Sequence, residues 1–553
     1  MNYLETLDYL AILLYLLLMA CIGLFFKWYV KDINAYIKGS GTIPWMVAGI
    51  SNFMALFSTF VFVAYAGIAY EHGMVAVTVF FSTIPACIIA AMVFAKRWRR
   101  AGISTPIEYL ETRFNPAVRQ TIGWVGLLMR ILDNMVRLYA IGIFLTAVTP
   151  LSLPLCLIIS SLIIIFFTLY GGIWAVSIMG TVQFVILIIT SVILFWLSLS
   201  HVGGLDSLMQ KAPDHFNWFN GPKGNFFWLG IYYIMIIIKY NENWIFIQRF
   251  YIVKDERSAQ KVGYLSAALF FIFPVIFMLP PVVSSVIMPG LPDKEMAYVA
   301  ISSKLLPAGL MGVMIASMFA ATMSSLNSEY NVIASVLSKD VYQRLIHKNA
   351  SDRQMLIVAK LSTIIVGLLV LSGGLFIKDF GGAFEANKLF TGIFAIPIGI
   401  PLIMGIISRK ASPRGAMYTV IFGSIAGIIL NSLPSHFSWE MATLLETVLC
   451  ILIFYGSSLQ RIKNKNYIER VSTLFEKLNK KITDIPQIDK KFQKALSILY
   501  IASLVTSGLL FIIMGLPSIN EPGGALAVAG GMACFIIAVV LWLLSGRHFK
   551  IKN

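Results

Sequence analysis

Charge is scarce in this chain of 553 residues: Asp, Glu, Lys and Arg together make up 12%, against 58% apolar residues and a mean hydropathy of +0.82. A soluble domain is about a quarter charged, so an ordinary cytosolic enzyme is excluded. Cysteine is also sparse. Cys21, Cys87, Cys156, Cys450 and Cys534 all lie within apolar runs with no CxxC pair, which leaves neither a disulfide framework nor a zinc site. The six histidines are scattered over predicted membrane edges and loops, against a haem or metal buried in a bundle. No nucleophile stands with a base and an orienting partner, so no enzyme is expected. The apolar stretch from Leu7 to Phe26 is long and lacks the small-residue cleavage site of a signal peptide.

Long apolar runs are abundant. A spanning helix needs about 20 mainly apolar residues, and the chain offers fifteen such segments: 7–28, 43–69, 73–95, 120–148, 153–171, 178–200, 225–248, 262–287, 307–334, 355–377, 387–408, 413–432, 439–458, 496–515 and 524–545. The expected class is an all-α polytopic membrane protein. Lys and Arg exceed Asp and Glu by 17, and placing the N-terminus outside puts roughly 33 of the 43 basic residues inside or at the inner edge. They include Lys96 to Arg100, Arg249 to Lys261, Arg409 to Arg414, the stretch Arg461 to Lys494 and Arg547 to Lys552. The net charge is therefore membrane topology, not a nucleic-acid footprint. A plasma membrane, as in the inner membrane of a bacterium, and a cytoplasmic C-terminus are expected. In 461–494, Tyr467, Ile468, Val471, Leu474, Phe475, Leu478 and Ile482 recur at helical spacing, which predicts an amphipathic helix lying on the inner leaflet.

Ionisable residues inside spans are costly and mark a pathway or a bound solute. Arg130, Asp133 and Arg137 fall on one face of the 120–148 segment. Lys239, Tyr240, Asn241, Glu242 and Asn243 interrupt the 225–248 segment, and such a polar island predicts a discontinuous helix around a midplane cavity. Static pairs, Asp133 with Arg137 and Lys239 with Glu242, are the plainer alternative. From Ala320 to Ser328 the chain runs through small and hydroxyl residues. Ser324, Ser325 and the Ala321 carbonyl offer three oxygens to a small hard cation, although close helix packing also explains such residues.

Several ordered motifs resemble the sodium:solute symporter family, which includes bacterial proline and galactose symporters and animal sodium/glucose cotransporters. They are Thr105 to Phe114, Tyr170 to Val176 followed by Gln183, Asn243 to Arg249, Leu306 to Tyr342, and Gly405 to Ala416, with Thr419 as a departure. The resemblance covers about 40–460. It implies a LeuT-type five-plus-five inverted repeat over 43–411 with its first and sixth core helices broken. Around that core would lie a peripheral N-terminal helix and loop (1–42), two helices (412–460), the basic amphipathic linker (461–495) and two C-terminal helices (496–553).

For function, the resemblance implies sodium-coupled uptake of a small organic solute by alternating access. One Na+ would be held by the carbonyls of Met54, Phe57 and Ala321 and the hydroxyls of Ser324 and Ser325. Many relatives have an Asp where this chain has Gly180, and Asn327 replaces a companion hydroxyl, so one coupled sodium is predicted. Phe60 and Val61 replace polar residues near the sugar of the galactose symporter. Asp133, Arg137, Lys239, Asn241, Glu242 and Asn243 are candidate solute ligands, Phe60 or Tyr240 could stack on a sugar ring, and Glu385 and Lys388 stand near solute-contacting positions of sugar-transporting relatives. A sugar or sugar acid is the first reading. An amino acid or other organic ion, proton coupling and a non-transporting sensor remain alternatives. The partners expected are the solute, sodium and the lipid bilayer.

Overall fold

The computed structural model describes residues 4–27, 33–432, 437–457, 464–483 and 490–550, and every regular element among them is helical. The first half contains α1 (Thr6–Lys27), α2 (Trp45–Leu56), α3 (Val61–His72), α4 (Val75–Ala101), α5 (Pro116–Val148), α6 (Leu153–Leu169), α7 (Gly172–Val202), α8 (Phe226–Glu242) and α9 (Trp244–Tyr251). The second contains α10 (Glu256–Ile287), α11 (Leu310–Ile346), α12 (Asp352–Gly374), α13 (Ala383–Gly405), α14 (Pro413–Asn431), α15 (Trp439–Gly456), α16 (Lys465–Asn479), α17 (Lys490–Gly515) and α18 (Pro522–Lys550).

Among the described residues twelve helices are long and apolar enough to cross a membrane, and α2 with α3, bent by 59°, makes a thirteenth span. The other two of the fifteen expected segments are also helical. One is the short apolar α6, and the other is the α8–α9 pair, too interrupted to qualify as one straight span.

The two interruptions have different causes. At Asn243 the backbone turns extended, and its side-chain Oδ1 accepts the N–H groups of Ile245 (2.9 Å) and Phe246 (3.3 Å), so the asparagine N-caps α9. Lys239 to Glu242 stay helical, so the break falls at the end of the polar island rather than along it. The break after α2 contains neither proline nor glycine. Phe57 is extended, while Thr59 donates its N–H to Thr322 Oγ1 (3.1 Å) and its hydroxyl to the Met318 carbonyl (2.7 Å). Donors from the interrupted chain are thus satisfied by α11, whose residues Leu310 to Val336 are all buried. Between α6 and α7, Gly172 has φ +54°, and a Cβ there would lie 3.0 Å from the Tyr36 backbone, so the second glycine of the Gly171–Gly172 pair serves both a left-handed turn and a close approach.

The peripheral elements hold the core at its ends. Asp8 of α1 accepts the N–H groups of Gly309 (2.8 Å) and Gly312 (2.7 Å), capping α11 from another helix. The amphipathic α16 departs from expectation. Its buried face of Tyr467, Val471, Leu474, Phe475 and Leu478 packs on protein instead of lipid, while Ile468 is exposed and Ile482 lies beyond the helix end. Arg113 donates to the Tyr467 hydroxyl (2.6 Å), Arg470 to the Phe114 carbonyl (2.6 Å) and Lys477 to the Ala101 carbonyl (2.8 Å). Backbone carbonyls at the end of α4 and in the following segment give a basic amphipathic helix polar anchors. Residues 461–463 and 484–489 of the basic stretch, and Lys552, lie outside the described residues.

A Cβ on Gly312 would stand 2.4 Å from the backbone of Asp8, whereas one on Gly230 meets nothing within 4 Å. Gly312→Ala is expected to cost about 1–3 kcal/mol by overpacking, and Gly230→Ala to gain up to about 1 kcal/mol in helix propensity. Thermal unfolding of the purified protein in detergent should move in opposite directions for the two.

Candidate functional site

The two helix breaks face a small cavity of about 50 Å³, lined by Leu56, Ser58, Phe60 and Val61 at the first break, Asp133 and Arg137 of α5, Tyr232, Lys239 and Tyr240 of α8, Asn243, and Asn387 of α13. Asp133 is its electrostatic centre. One carboxylate oxygen accepts from Lys239 Nζ (3.4 Å) and Asn387 Nδ2 (2.6 Å), the other from Arg137 Nη2 (2.7 Å). Lys239 also donates to Asn387 Oδ1 (3.1 Å) and Thr391 Oγ1 (2.8 Å).

Behind the cavity wall, Arg130 Nη2 donates to Glu242 Oε2 (2.5 Å), and the guanidinium lies 5.7 Å from the Trp244 ring centroid. Glu329 of α11 completes the set, with Oε1 3.9 Å from Arg130 Nη1 and 3.9 Å from Arg137 Nη1. All six side chains are buried. Arg130, Arg137 and Lys239 balance Asp133, Glu242 and Glu329 in formal charge, which is what allows such a cluster to sit inside a bundle.

Several expected residues sit elsewhere or have other partners. Lys239 and Glu242 do not pair: Glu242, the last residue before the break, turns to Arg130, and Lys239 turns to Asp133. Glu242 therefore lies behind the cavity, not in it. Asn241 donates to the carbonyls of Ala86 and Ile237 and also points away. Glu385 and Lys388 bond each other, and Lys388 rests over the Trp439 ring. On the same helix it is Asn387 and Thr391, not these two, that together hold Lys239. Phe60, Asp133, Arg137, Lys239, Tyr240 and Asn243 do converge on the cavity, although Asn243 also serves as the α9 cap. Asn387, Thr391, Tyr65, Tyr232 and Glu329 escaped sequence reasoning. Glu329 carried the clearest signal, as an ionisable residue within a span.

Aromatic side chains close one end. The hydroxyls of Tyr65 and Tyr232 are 2.8 Å apart, and Phe384 meets Tyr65 edge-on and Tyr232 face-on. Glu295, in the loop before α11, accepts the backbone N–H groups of Ala383 and Phe384 and so fastens this roof. Burial raises its carboxyl from the ordinary 4.5 to about 7.

The expected ion ligands lie beside the cavity. Met54 sits in the last turn of α2, where carbonyls lack intrahelical donors, and Phe57 is its C-cap. On α11, Ala321, Ser324 and Ser325 share one helical turn. The Ser324 hydroxyl is buried without a hydrogen-bond partner. The Ser325 hydroxyl accepts from Arg137 Nη1 (2.5 Å), which also reaches the Ala55 carbonyl at 3.4 Å. An all-oxygen donor set with an unpartnered buried hydroxyl suits a group I ion. A Cβ on Gly180 would stand 3.1 Å from Ser324 Oγ and 3.3 Å from Ser51 Oγ, so a side chain at this position would press on both hydroxyls, and both are unpartnered. Asn327 is engaged elsewhere, accepting from Thr168 Oγ1 (2.6 Å).

A membrane bundle with two helices broken around a polar cavity is the architecture of a secondary transporter. A sequence model of the sodium:solute symporter family matches residues 36–423, and the chain belongs to that family. It is a multi-pass, sodium-coupled membrane transporter and not an enzyme. It is 23% identical to the sodium/glucose cotransporter of Vibrio parahaemolyticus over 76% of this chain and 84% of that one. It is 28% identical to sodium/myo-inositol cotransporter 2 of Sus scrofa (77% and 70%) and 22% identical to the sodium/sialic acid symporter of Aliivibrio fischeri (85% and 97%). The solved structure of a Na+-coupled sialic acid symporter in a substrate-bound, outward-open state superposes with a TM-score of 0.73 at 20% identity, covering 83% of this chain and 98% of that one. That likeness fixes the inverted-repeat fold.

Because the folded protein holds the Glu295 proton more tightly than an unfolded chain, the stability this group contributes is complete below about pH 4.5 and lost as pH rises through about 7. Glu295→Gln should flatten that part of the pH profile. Melting temperature against pH for both proteins checks it, and parallel profiles would refute the assignment.

Proposed function

We propose that this chain takes up a neutral sugar or polyol, together with one Na+ per cycle, by alternating access across the plasma membrane. The carrying observation is the cavity. Asp133, Lys239, Asn387 and Tyr240 mix acceptors and donors suited to hydroxyls, and the Phe60 and Tyr240 rings offer faces for a sugar. Arg137 and Lys239 are both engaged by Asp133, so neither waits for a carboxylate, which favours a neutral solute over a sugar acid. Glucose and myo-inositol appear in the names of relatives, and sialic acid represents the acidic alternative. A cavity of about 50 Å³ is far below the roughly 300 Å³ of typical ligand pockets, so solute entry requires the walls to part.

The ion ligands are Ser324 and Ser325 with the carbonyls of Ala321, Met54 and Phe57. Gly180 supports a single ion. One sodium supplies about 2.3 kcal/mol per 100 mV and about 1.4 kcal/mol per tenfold gradient, enough for roughly 500-fold accumulation of a neutral solute. The working unit is 43–411, with the remaining helices as its frame. The N-terminus lies outside and the C-terminus in the cytoplasm. Arg99 bonds the carbonyls of Val253 and Lys254, Arg100 bonds Glu256 and α16, and Arg113 bonds Ser408 and Ala411, so the basic loops gather at one end, as the positive-inside rule requires.

In sodium, but not in potassium, the purified protein should melt at a higher temperature, and Ser324→Ala and Ser325→Ala should abolish the difference. Vesicles should then take up a labelled sugar in a sodium-dependent way, with sugars and polyols competing and amino acids not. Competition by amino acids alone would overturn the solute class, and equal melting in both salts would overturn the ion site. A flux ratio of two sodium ions per solute would overturn the stoichiometry.

A further inference from the structure

One contact places a fixed positive charge where the transported one is expected. Arg137 Nη1 donates to the Ser325 hydroxyl at 2.5 Å and reaches the Ala55 carbonyl in the last turn of α2 at 3.4 Å. These groups bridge α11 and α2, the two elements that the ion is expected to join. Nη2 of the same guanidinium is bound to Asp133 in the solute cavity at 2.7 Å. A planar fork of this kind can hold two acceptors at once, which an ammonium point charge cannot do in the same way.

A second observation is independent of the first. Glu329 is fully buried, neither of its carboxylate oxygens has a hydrogen-bond partner, and Arg130 Nε and Nη1 are likewise unpartnered. Its Oε1 stands 3.9 Å from Arg137 Nη1. A charge-assisted hydrogen bond spans about 2.8 Å, so about one ångström of movement would let Glu329 accept that group. A buried carboxylate with both oxygens unbonded is costly, and a receiver for a displaced guanidinium is a use for it that the rest of the site does not supply.

We propose that Arg137 is an internal stand-in for the coupling ion: with no sodium bound it occupies the Ser325 hydroxyl, and sodium displaces its Nη1 onto Glu329 while Nη2 stays on Asp133. Sodium and guanidinium then exchange on one hydroxyl, and the exchange reaches the solute cavity as a pivot of Arg137 about Asp133. Because binding free energies are reciprocal, a solute that draws Arg137 toward Asp133 and away from Ser325 tightens sodium by the same factor as sodium tightens the solute. The inference rests on the reading of Ser325 as a sodium ligand.

The test is sodium titration of the purified full-length protein without solute, at constant ionic strength with choline as the replacement, followed by intrinsic tryptophan fluorescence. Arg137→Lys keeps the formal charge but loses the fork, and it should bind sodium about tenfold tighter, the worth of one charge-assisted hydrogen bond. Glu329→Gln should bind it about tenfold weaker, because the displaced guanidinium loses its receiver. If Arg137→Lys fails to fold, the charge-balanced Arg137→Gln/Glu329→Gln double variant should also bind tighter than wild type, whereas a purely electrostatic role predicts no change. Wild-type affinity in these variants, with sodium response lost in Ser325→Ala, would overturn the exchange and leave the ion site standing. A sodium response retained in Ser325→Ala would overturn the site itself.

Discussion

The carboxylate of Asp133 is the interaction on which the interior of this transporter depends. It is the only acid in direct contact with both Arg137 and Lys239 among the described residues, and it also bonds Asn387. Three elements of the bundle, α5, α8 and α13, therefore meet through one side chain. Without it, two cations would face an apolar interior at a cost of several kcal/mol each. Glu242 and Glu329 could not substitute. The first is bonded to Arg130, and the second stands 3.9 Å from its nearest cations. Neutrality is reached only by the full set of three acids and three bases, so the cluster is a property of three elements, α5, α8 and α11, together.

The same economy governs the broken helices. An interrupted helix inside a membrane exposes backbone groups that water cannot reach, and each break here is repaired by a side chain. Asn243 caps its own outgoing helix, and Thr322 accepts the N–H of Thr59. The N-terminus of α11, which carries Ser324 and Ser325, is capped by Asp8 of α1. These repairs use hydroxyl, amide and carboxylate groups instead of glycine and proline. The breaks are therefore defined by contacts between elements, and such contacts can be exchanged when elements move.

This explains what could be read from the sequence and what could not. Apolar length alone located fifteen helical segments, since the bilayer imposes a ruler that tertiary packing does not override. The polar island at Lys239 to Asn243 announced a break because five polar residues contradict an apolar span. The break after Phe57 gave no such signal, and only family resemblance suggested it, because the groups that satisfy it lie on α11, some 260 positions away. Asp133 and Arg137 were legible as i, i+4 neighbours, whereas the partner of Lys239 was not, because a local acid at i+3, Glu242, competed for it on paper. Only the side-chain directions around the break separate the two. Asn387 and Thr391 were hidden behind the more conspicuous charges of Glu385 and Lys388, which share their helix but bond each other. The amphipathic period of α16 was correct, but period alone does not distinguish a lipid surface from a protein one.

Charge balance finally links the ion to the solute. The cluster is formally neutral before sodium arrives, so sodium adds one positive charge to the loaded protein. With a neutral sugar that charge crosses the membrane uncompensated, and the potential acts on the loaded step at about 2.3 kcal/mol per 100 mV. A sugar acid would cancel it, leaving only the concentration gradients to drive that step. The proposed single ion fits Gly180, which places no carboxylate of its own beside the Ser51 and Ser324 hydroxyls. Under the proposed stoichiometry, one sodium and one neutral solute on a balanced cluster of three acids and three bases leave a single net charge to move with the potential, the charge that an acidic solute would cancel.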